Sequence, residues 1–172
     1  MKKLFLPFIA LICFYGSSLL VTYLPMGVFN SDRVLVPHFL IIFILLMSVY
    51  YHNASAMLYA FIFGFLYDSF FTEVLGVHLF IFPFVTFLTS RMMKVLHSNL
   101  LVTSIVILLN LSILEFLVYE INLLIGKTDW AIAMFADLRL WPTLVLNAAF
   151  LIIFSYPLKS LLMKLQKERL ED

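Results

Sequence analysis

Long uncharged runs alternate with short polar segments along the whole chain. A helix needs about 20 apolar residues to cross the hydrocarbon core of a membrane. The run between Arg33 and Asp68 is too long for one such helix, so we place a break at His52 and Asn53. The pattern then predicts six transmembrane helices, at about residues 4–24, 34–51, 55–67, 75–90, 99–125 and 140–158.

Two of these segments need separate comment. The first follows two lysines and could be a signal peptide, but its uncharged run is longer than the 7–15 residues of such a peptide's apolar region, so we expect a retained helix. The end of the chain, residues 159–172, places leucines at helical spacing among basic residues. This pattern predicts an amphipathic helix on an anionic membrane surface, and the alternative is a polar stop after the last span.

The positive charges indicate which ends of the helices face the cytoplasm. Cytoplasmic segments near a membrane carry an excess of Lys and Arg. With the amino terminus inside, the inner segments hold Lys2, Lys3, Arg91, Lys94, Lys159, Lys164, Lys167 and Arg169. The outer segments hold only Arg33, Lys127 and Arg139. The sequence therefore predicts that both termini are cytoplasmic.

Composition supports the same class of protein and excludes others. Hydrophobic residues make up 64% of the chain and charged residues 12%, against about 25% charged in a soluble domain. We therefore expect one all-α integral membrane domain over residues 1–172. The net charge of +1 argues against nucleic acid as a partner. Cys13 is the single cysteine, no histidines have metal-ligand spacing, and no catalytic motif is present, so we expect no metal, no cofactor and no enzymatic activity.

Small residues form a stripe along the third predicted helix. Ala56, Ala60 and Gly64 recur every four residues, and Asp68 continues the row. Small residues let membrane helices approach closely, so we predict a helix-packing or partner-contact face here. Asp68 is either a functional charge or a polar group that contacts a neighbouring backbone at the helix end. Its position near the interface favours the second interpretation, which predicts that Asn would be tolerated there and Leu would not.

A polar stripe marks the fifth predicted helix, where Ser112, Glu115, Tyr119 and Asn122 share one face. An acid at the centre of a membrane helix costs about 2.5–3.5 kcal/mol on insertion scales, so this face should meet protein or water. Glu115 has three possible roles. It pairs with a basic residue or tyrosine inside the bundle, it is protonated and hydrogen-bonded, or it belongs to a ligand or proton site.

Three sequence segments together resemble the MreD family of rod shape-determining proteins. The most specific is Gly64-Phe-Leu-Tyr-Asp68 followed by Leu75-Gly76-Val77. The other two are Arg33-Val-Leu-Val-Pro37 and Pro142-Thr143 with Asn147. The similarity covers essentially the whole chain, and the short tails are most similar to the compact form of Gram-positive rods. Gly64, Asp68 and Gly76 are the matched positions that we assign to packing or partner contact.

The resemblance implies a scaffold in the bacterial plasma membrane that lacks catalytic residues. Members of the family work with MreC, in a cell-elongation complex with MreB, RodA and a class B penicillin-binding protein. The partners implied are therefore MreC and this complex. Membrane lipid and a second copy of the chain, in a homo-oligomer, are further candidate partners. The family fold is also thought to be similar to the substrate-binding subunits of vitamin-uptake transporters. This similarity leaves a small-ligand-binding or transporter-like subunit as the alternative function.

Overall fold

The computed structural model describes residues 5–23, 33–72, 74–96 and 99–171. The limits predicted for the first span, residues 4 and 24, lie outside this range, as does residue 172. The described part of the chain is helical almost throughout and contains no β-strand, which confirms the all-α prediction. Its helices are α1 (Phe5–Tyr23), α2 (Phe39–Tyr50), α3 (Asn53–Phe71), α4 (Val77–Val95), α5 (Leu100–Leu124), α6 (Ile132–Phe135) and α7 (Trp141–Glu171). A π-helical segment, Ala136–Leu140, joins α6 to α7.

Three helical stretches of the described chain are long and apolar enough to cross a membrane. They are Asn53–Phe71, Leu100–Leu124 and Ile132–Glu171. Apolar stretches in α1 and α2 are shorter, at Phe5–Leu20 and Phe39–Tyr50. These helices support a transmembrane protein, while the number of spans stays a prediction.

The break between the second and third helices is confirmed, because α2 ends at Tyr50 and α3 begins at Asn53. The third and fourth helices were predicted too short, at about 55–67 and 75–90, since α3 and α4 each have 19 residues and end at Phe71 and Val95. The predicted start of the second helix was also wrong, because residues 33–38 are not helical. Pro37 disfavours helical geometry at the residue before it, and the backbone of this segment hydrogen-bonds to α7 instead.

The last part of the chain differs most from the prediction. Helix begins at Ile132 and continues to Glu171, so the loop expected at residues 126–139 is much shorter and the expected tail extends the last helix. The leucine face of that tail packs on the bundle, where Leu162 is fully buried and Leu165 contacts the core. Lys159 lies 5.0 Å from the centre of the Tyr50 ring. The tail therefore packs in part against the turn between α2 and α3. Leu170 is 81% exposed, and contact of the tail with a membrane surface stays a prediction.

Helix α2 forms the centre of the bundle. Its residues from Leu40 to Met47 are at most 2% exposed, as expected for a helix that is apolar on all sides. Helices α1, α3, α4, α5 and α7 all pack around it. Aromatic rings connect the layers, and Phe39 of α2 stacks on Phe150 of α7 with 4.1 Å between ring centres.

Among the described glycines, Gly64 permits the closest helix contact, which is between α3 and α4. A Cβ atom added to Gly64 would lie 2.6 Å from the carbonyl oxygen of His78, closer than real Cβ contacts. The other small residues of the stripe, Ala56 and Ala60, are fully buried. The small-residue face of α3 therefore lies inside the bundle, and at Gly64 it meets the backbone of α4.

We expect Gly64→Ala to lower the stability of the protein by about 1–3 kcal/mol, because the new methyl group would overpack a backbone that cannot rotate away. The matched control is Gly16→Ala in α1, where an added Cβ meets nothing within 4 Å. That change should be neutral or stabilising, since Ala is preferred over Gly in a helix by about 1 kcal/mol. Thermal unfolding in detergent measures both variants. Equal melting temperatures for the two would show that α3 and α4 are not in close contact at Gly64.

Candidate functional site

A buried carboxylate joins the end of α3 to the start of α4. Asp68 is fully buried, and its two oxygens accept hydrogen bonds from three backbone N–H groups, all at 2.9 Å. These donors are Gly76, His78 and Leu79. The first N–H groups of a helix have no partner within the helix, and its N-terminus favours negative charge. Asp68 thus caps α4 from the neighbouring helix.

Side chains complete the surroundings of Asp68. The His78 ring nitrogen Nδ1 lies 2.8 Å from Oδ1, and the Thr72 hydroxyl donates to the same oxygen at 3.3 Å. Gly76 makes the sharp turn possible, because its φ of 105° lies in the left-handed region that favours glycine. We call Asp68, Thr72, Gly76, His78 and Leu79 the Asp68 clasp. It corresponds to the interpretation of Asp68 as a group that contacts a neighbouring backbone.

A second buried acid lies on α5. Glu115 is fully buried, with His38 Nε2 2.5 Å from Oε1 and Arg139 Nε 2.7 Å from Oε2. The Arg139 side chain is 28% exposed, so the cluster reaches from the interior toward the surface. We call Glu115, His38 and Arg139 the Glu115 cluster. Of the three roles left open for Glu115, this geometry corresponds to pairing with a basic residue inside the bundle.

The partners of Glu115 are held in place by the backbone around residues 33–38. The Asn147 side chain of α7 accepts from His38 N at 2.8 Å and donates to Val36 O at 2.9 Å. On the same segment, Val34 N donates to Leu138 O of the π-helical segment at 2.8 Å. These bonds fix the start of α2 against the segment that carries Arg139, which brings His38 and Arg139 to the same carboxylate.

The rest of the polar stripe on α5 does not form one site. The Ser112 hydroxyl and the Asn122 amide donate to carbonyl groups of their own helix, at 3.0 and 2.8 Å. The Tyr119 hydroxyl donates to Trp130 O at 2.8 Å, in the connection after α5. Shared helical spacing placed these side chains on one face, yet each has its own partner. Sequence reasoning also did not single out His38 and Arg139, because they come from segments far from Glu115 in the chain.

A cavity of about 470 Å³ separates the two acidic clusters. Its lining includes Glu115, Arg139 and His38 from one cluster, and His78 and Thr72 from the other. Asn122 is a member of the α5 stripe that also lines it, whereas Ser112 and Tyr119 do not. Among the described residues, no three His, Cys, Asp or Glu side chains are grouped so that they could hold a metal ion. The site is therefore a cavity between two hydrogen-bonded acids.

Comparison with known proteins identifies the family. The family model described as rod shape-determining protein MreD matches residues 2–165. The chain belongs to the MreD family. It is 37% identical over 168 residues to the rod shape-determining protein MreD of Bacillus subtilis, covering 98% of each chain. It is 27% identical over 157 residues to the cell shape-determining protein MreD of Streptococcus pneumoniae, covering 89% of this chain and 90% of that one. No solved structure matches the chain significantly.

The structure gives a physical reason for the segments that carry the MreD resemblance. Gly64, Asp68 and Gly76 belong to one junction, where the glycines permit close packing and a sharp turn and the carboxylate caps the following helix. The segments around Pro37 and Asn147 also meet each other, through the hydrogen bonds between Asn147 and the backbone of residues 36 and 38. The quoted segments therefore lie at the two junctions that fix one end of the bundle.

The geometry changes the expected effect of Asp68→Asn. Both carboxylate oxygens accept N–H bonds, whereas the amide of Asn would turn an NH₂ group toward one set of donors. Hydrogen bonds to charged groups contribute about 1.5–3 kcal/mol each, so we expect Asn to lower stability by about 2–3 kcal/mol. Asp68→Leu should do more damage, because it leaves all three N–H groups at the start of α4 without an acceptor. Thermal unfolding in detergent, with the exposed Asp129→Asn as control, measures this order. An Asn variant as stable as the control would contradict the clasp.

Proposed function

We propose that this chain is a non-catalytic, multi-pass subunit of the bacterial cell-elongation machinery that binds MreC and maintains rod shape. The main support for this proposal is the family match over residues 2–165, together with relatives named as rod shape-determining and cell shape-determining proteins. In this proposal the chain works in the plasma membrane, in the cell-elongation complex that contains MreB, RodA and a class B penicillin-binding protein. Membrane lipid and a second copy of the chain are further partners.

The hydrogen bonds and ion pairs of the two buried acids support a role as a scaffold. Asp68 is bound by three backbone N–H groups and His78, and Glu115 is bound by Arg139 and His38. Acids held in this way fix the positions of helices, because breaking their partnerships would leave a charge buried without compensation. Both acids are thus occupied in holding helices together, which favours a structural role and recognition of a partner over catalysis by these carboxylates.

The outer face of α7 supports recognition within the membrane. Trp141, Val145, Ile152 and Tyr156 lie on one side of this helix and are between 60% and 82% exposed. Large apolar side chains of this kind meet lipid or another membrane helix. Two connections that the structure describes in full, residues 51–52 and 125–131, are short and offer little surface for recognition in water. We infer that the membrane helix of MreC contacts this chain chiefly inside the bilayer.

We also propose six spans with both termini in the cytoplasm. The turn after Tyr50, the start of α5 and the tail of α7 lie at one end of the bundle, as the Tyr50–Thr103 hydrogen bond of 2.8 Å and the Lys159–Tyr50 contact indicate. The turn at Gly76 and the two acidic clusters lie at the other end. The basic residues of the tail and of the end of α4 gather at the first end, which the positive-inside tendency assigns to the cytoplasm.

Single cysteines test this orientation. In a Cys13→Ala background, Asp129→Cys should react with a membrane-impermeant maleimide in intact cells, because residue 129 lies in the exposed connection after α5. Gln166→Cys, on the exposed side of the tail, should react only after the membrane is permeabilised. The Cys13→Ala protein without a new cysteine controls for background labelling. Labelling of Gln166→Cys in intact cells would overturn the proposed orientation.

Co-purification tests the proposed partner. When the tagged chain is extracted from membranes in mild detergent, MreC should be recovered with it in roughly equal amount. An unrelated single-pass membrane protein, expressed at the same level, should be left behind. Recovery of the folded chain without MreC, or equal recovery of the unrelated protein, would contradict a direct complex.

A ligand-binding or transporter-like subunit is the second candidate function. The observation that favours it is the cavity of about 470 Å³, which lies within the range of about 300–1,000 Å³ that small-molecule sites occupy. Scaffold and ligand site are compatible in one protein, since the cavity and the exposed face of α7 involve different residues.

A further inference from the structure

We propose that the cavity between the Asp68 clasp and the Glu115 cluster binds an amphiphile with an oxyanion head, either a carboxylate or a phosphate, and that Arg139 holds the oxyanion. The inference goes beyond the proposed role in cell elongation and does not depend on it. It rests on the shape of the cavity, on the hydrogen bonding of Arg139, and on the charges of the lining residues.

The cavity has apolar walls and an opening at the surface. Val36, Phe71, Val77 and Val118 contribute wall from four different parts of the fold. Val34 also lines the cavity and is 39% exposed, so the cavity reaches the exterior of the bundle. A volume of about 470 Å³ exceeds the roughly 30 Å³ share of one water many times over, and an inorganic anion alone would leave most of the apolar wall wet. A ligand with an apolar portion fits this shape better.

Arg139 lines the cavity with most of its hydrogen-bonding capacity unused. A guanidinium group has five N–H donors. Among the described residues, it is the Nε donor of Arg139 that bonds to protein, at 2.7 Å from Glu115. The two amino ends are then left for a ligand, and their planar arrangement matches a carboxylate or phosphate. Glu115 fixes the guanidinium group of Arg139 through Nε and leaves the two amino groups open to a ligand.

The charges around the cavity favour an anion over a cation. Arg139 lines it, and Glu115, the one acid of the described lining, has both oxygens bonded to His38 and Arg139. Asp68 lies behind the wall with both oxygens bonded to N–H donors of α4. Tyr67 and Asn122, which carry no charge, also line the same space. An incoming carboxylate or phosphate therefore meets the open amino groups of Arg139, while both oxygens of Glu115 are already bound to protein.

Short-chain probes test the proposal on the purified full chain in detergent. Binding is measured as the rise in melting temperature over a concentration series. Dihexanoyl phosphatidic acid and octanoate should stabilise the protein, with apparent affinities at least ten times those of dihexanoyl phosphatidylcholine. Inorganic phosphate should bind at least ten times more weakly than the phosphatidic acid. Equal binding of the phosphatidylcholine would overturn the oxyanion head, and equal binding of phosphate would overturn the amphiphile.

Variants locate the site. Arg139→Gln should lower the affinity for dihexanoyl phosphatidic acid at least tenfold, whereas Arg91→Gln should leave it unchanged. Arg91 is a matched control because it is exposed and lies 14 residues beyond Val77 on α4, about 21 Å along the helix from the cavity.

Since Arg139→Gln also removes one of the two partners of Glu115 and could prevent folding, Val34→Trp provides an independent variant. It fills the mouth of the cavity and leaves both acidic clusters intact, so it should reduce binding as strongly as Arg139→Gln. Undiminished binding by Val34→Trp, or an equal loss in Arg91→Gln, would overturn the proposal. Either result would leave co-purification with MreC unaffected, so the two proposals fail separately.

Discussion

The carboxylate of Asp68 is the interaction on which the arrangement of α3 and α4 depends. In an apolar medium, the first N–H groups of a helix have neither a helical partner nor water. Asp68 supplies acceptors for three N–H groups at the start of α4, and it does so from the last turns of α3. The same contact draws the two helices together until Gly64 has no room for a Cβ atom beside His78. Capping and close packing are thus two results of one buried charge.

The Glu115 cluster fixes the remaining helices by a different means. Its partners are side chains from the segment before α2 and from the π-helical segment before α7, so one carboxylate joins three parts of the chain. A π-helical turn shifts the direction of the side chains that follow, and here it carries Arg139. Buried ion pairs contribute little net stability compared with apolar packing, but losing one partner costs about 3–5 kcal/mol. The cluster therefore selects one arrangement of these segments over others.

Much of this fold could be predicted from hydrophobic patterning, because membrane spans are long and apolar. The break at His52 and the small-residue face of α3 follow from local sequence alone. The start of α2 could not be predicted in this way. Its limit is set by Asn147, which is 109 positions away from His38 and replaces the helical hydrogen bonds of residues 36 and 38 with its own amide. Short-range patterns carry no information about such a partner.

In the candidate site, too, some features could be predicted from the sequence and others could not. Glu115 stands out in the sequence because an acid in an apolar helix needs compensation, so its position could be predicted. Arg139 could not be assigned as its partner, because residues 126–139 are polar enough to suggest a loop, whereas the structure continues the last helix back to Ile132. The stripe on α5 predicted a shared face for Ser112 and Tyr119, but a shared face does not determine which elements pack on it. Ser112 donates to Leu108 O within α5, whereas Tyr119 donates to Trp130 O in the connection after it.

Both buried acids lie at the same end of the bundle, and the opposite end is joined by tight turns and a docked tail. Polar groups cost less near the membrane surface than at its centre, so this end can hold charge while α2 stays entirely apolar through the middle. It is also the end where the positions of helices are set by a few directional bonds. An anion bound to Arg139 would share that guanidinium with Glu115, and through His38 and Asn147 it would act on the start of α2. A contact made in the cavity would thus reach the central helix, which packs against α1, α3, α4, α5 and α7.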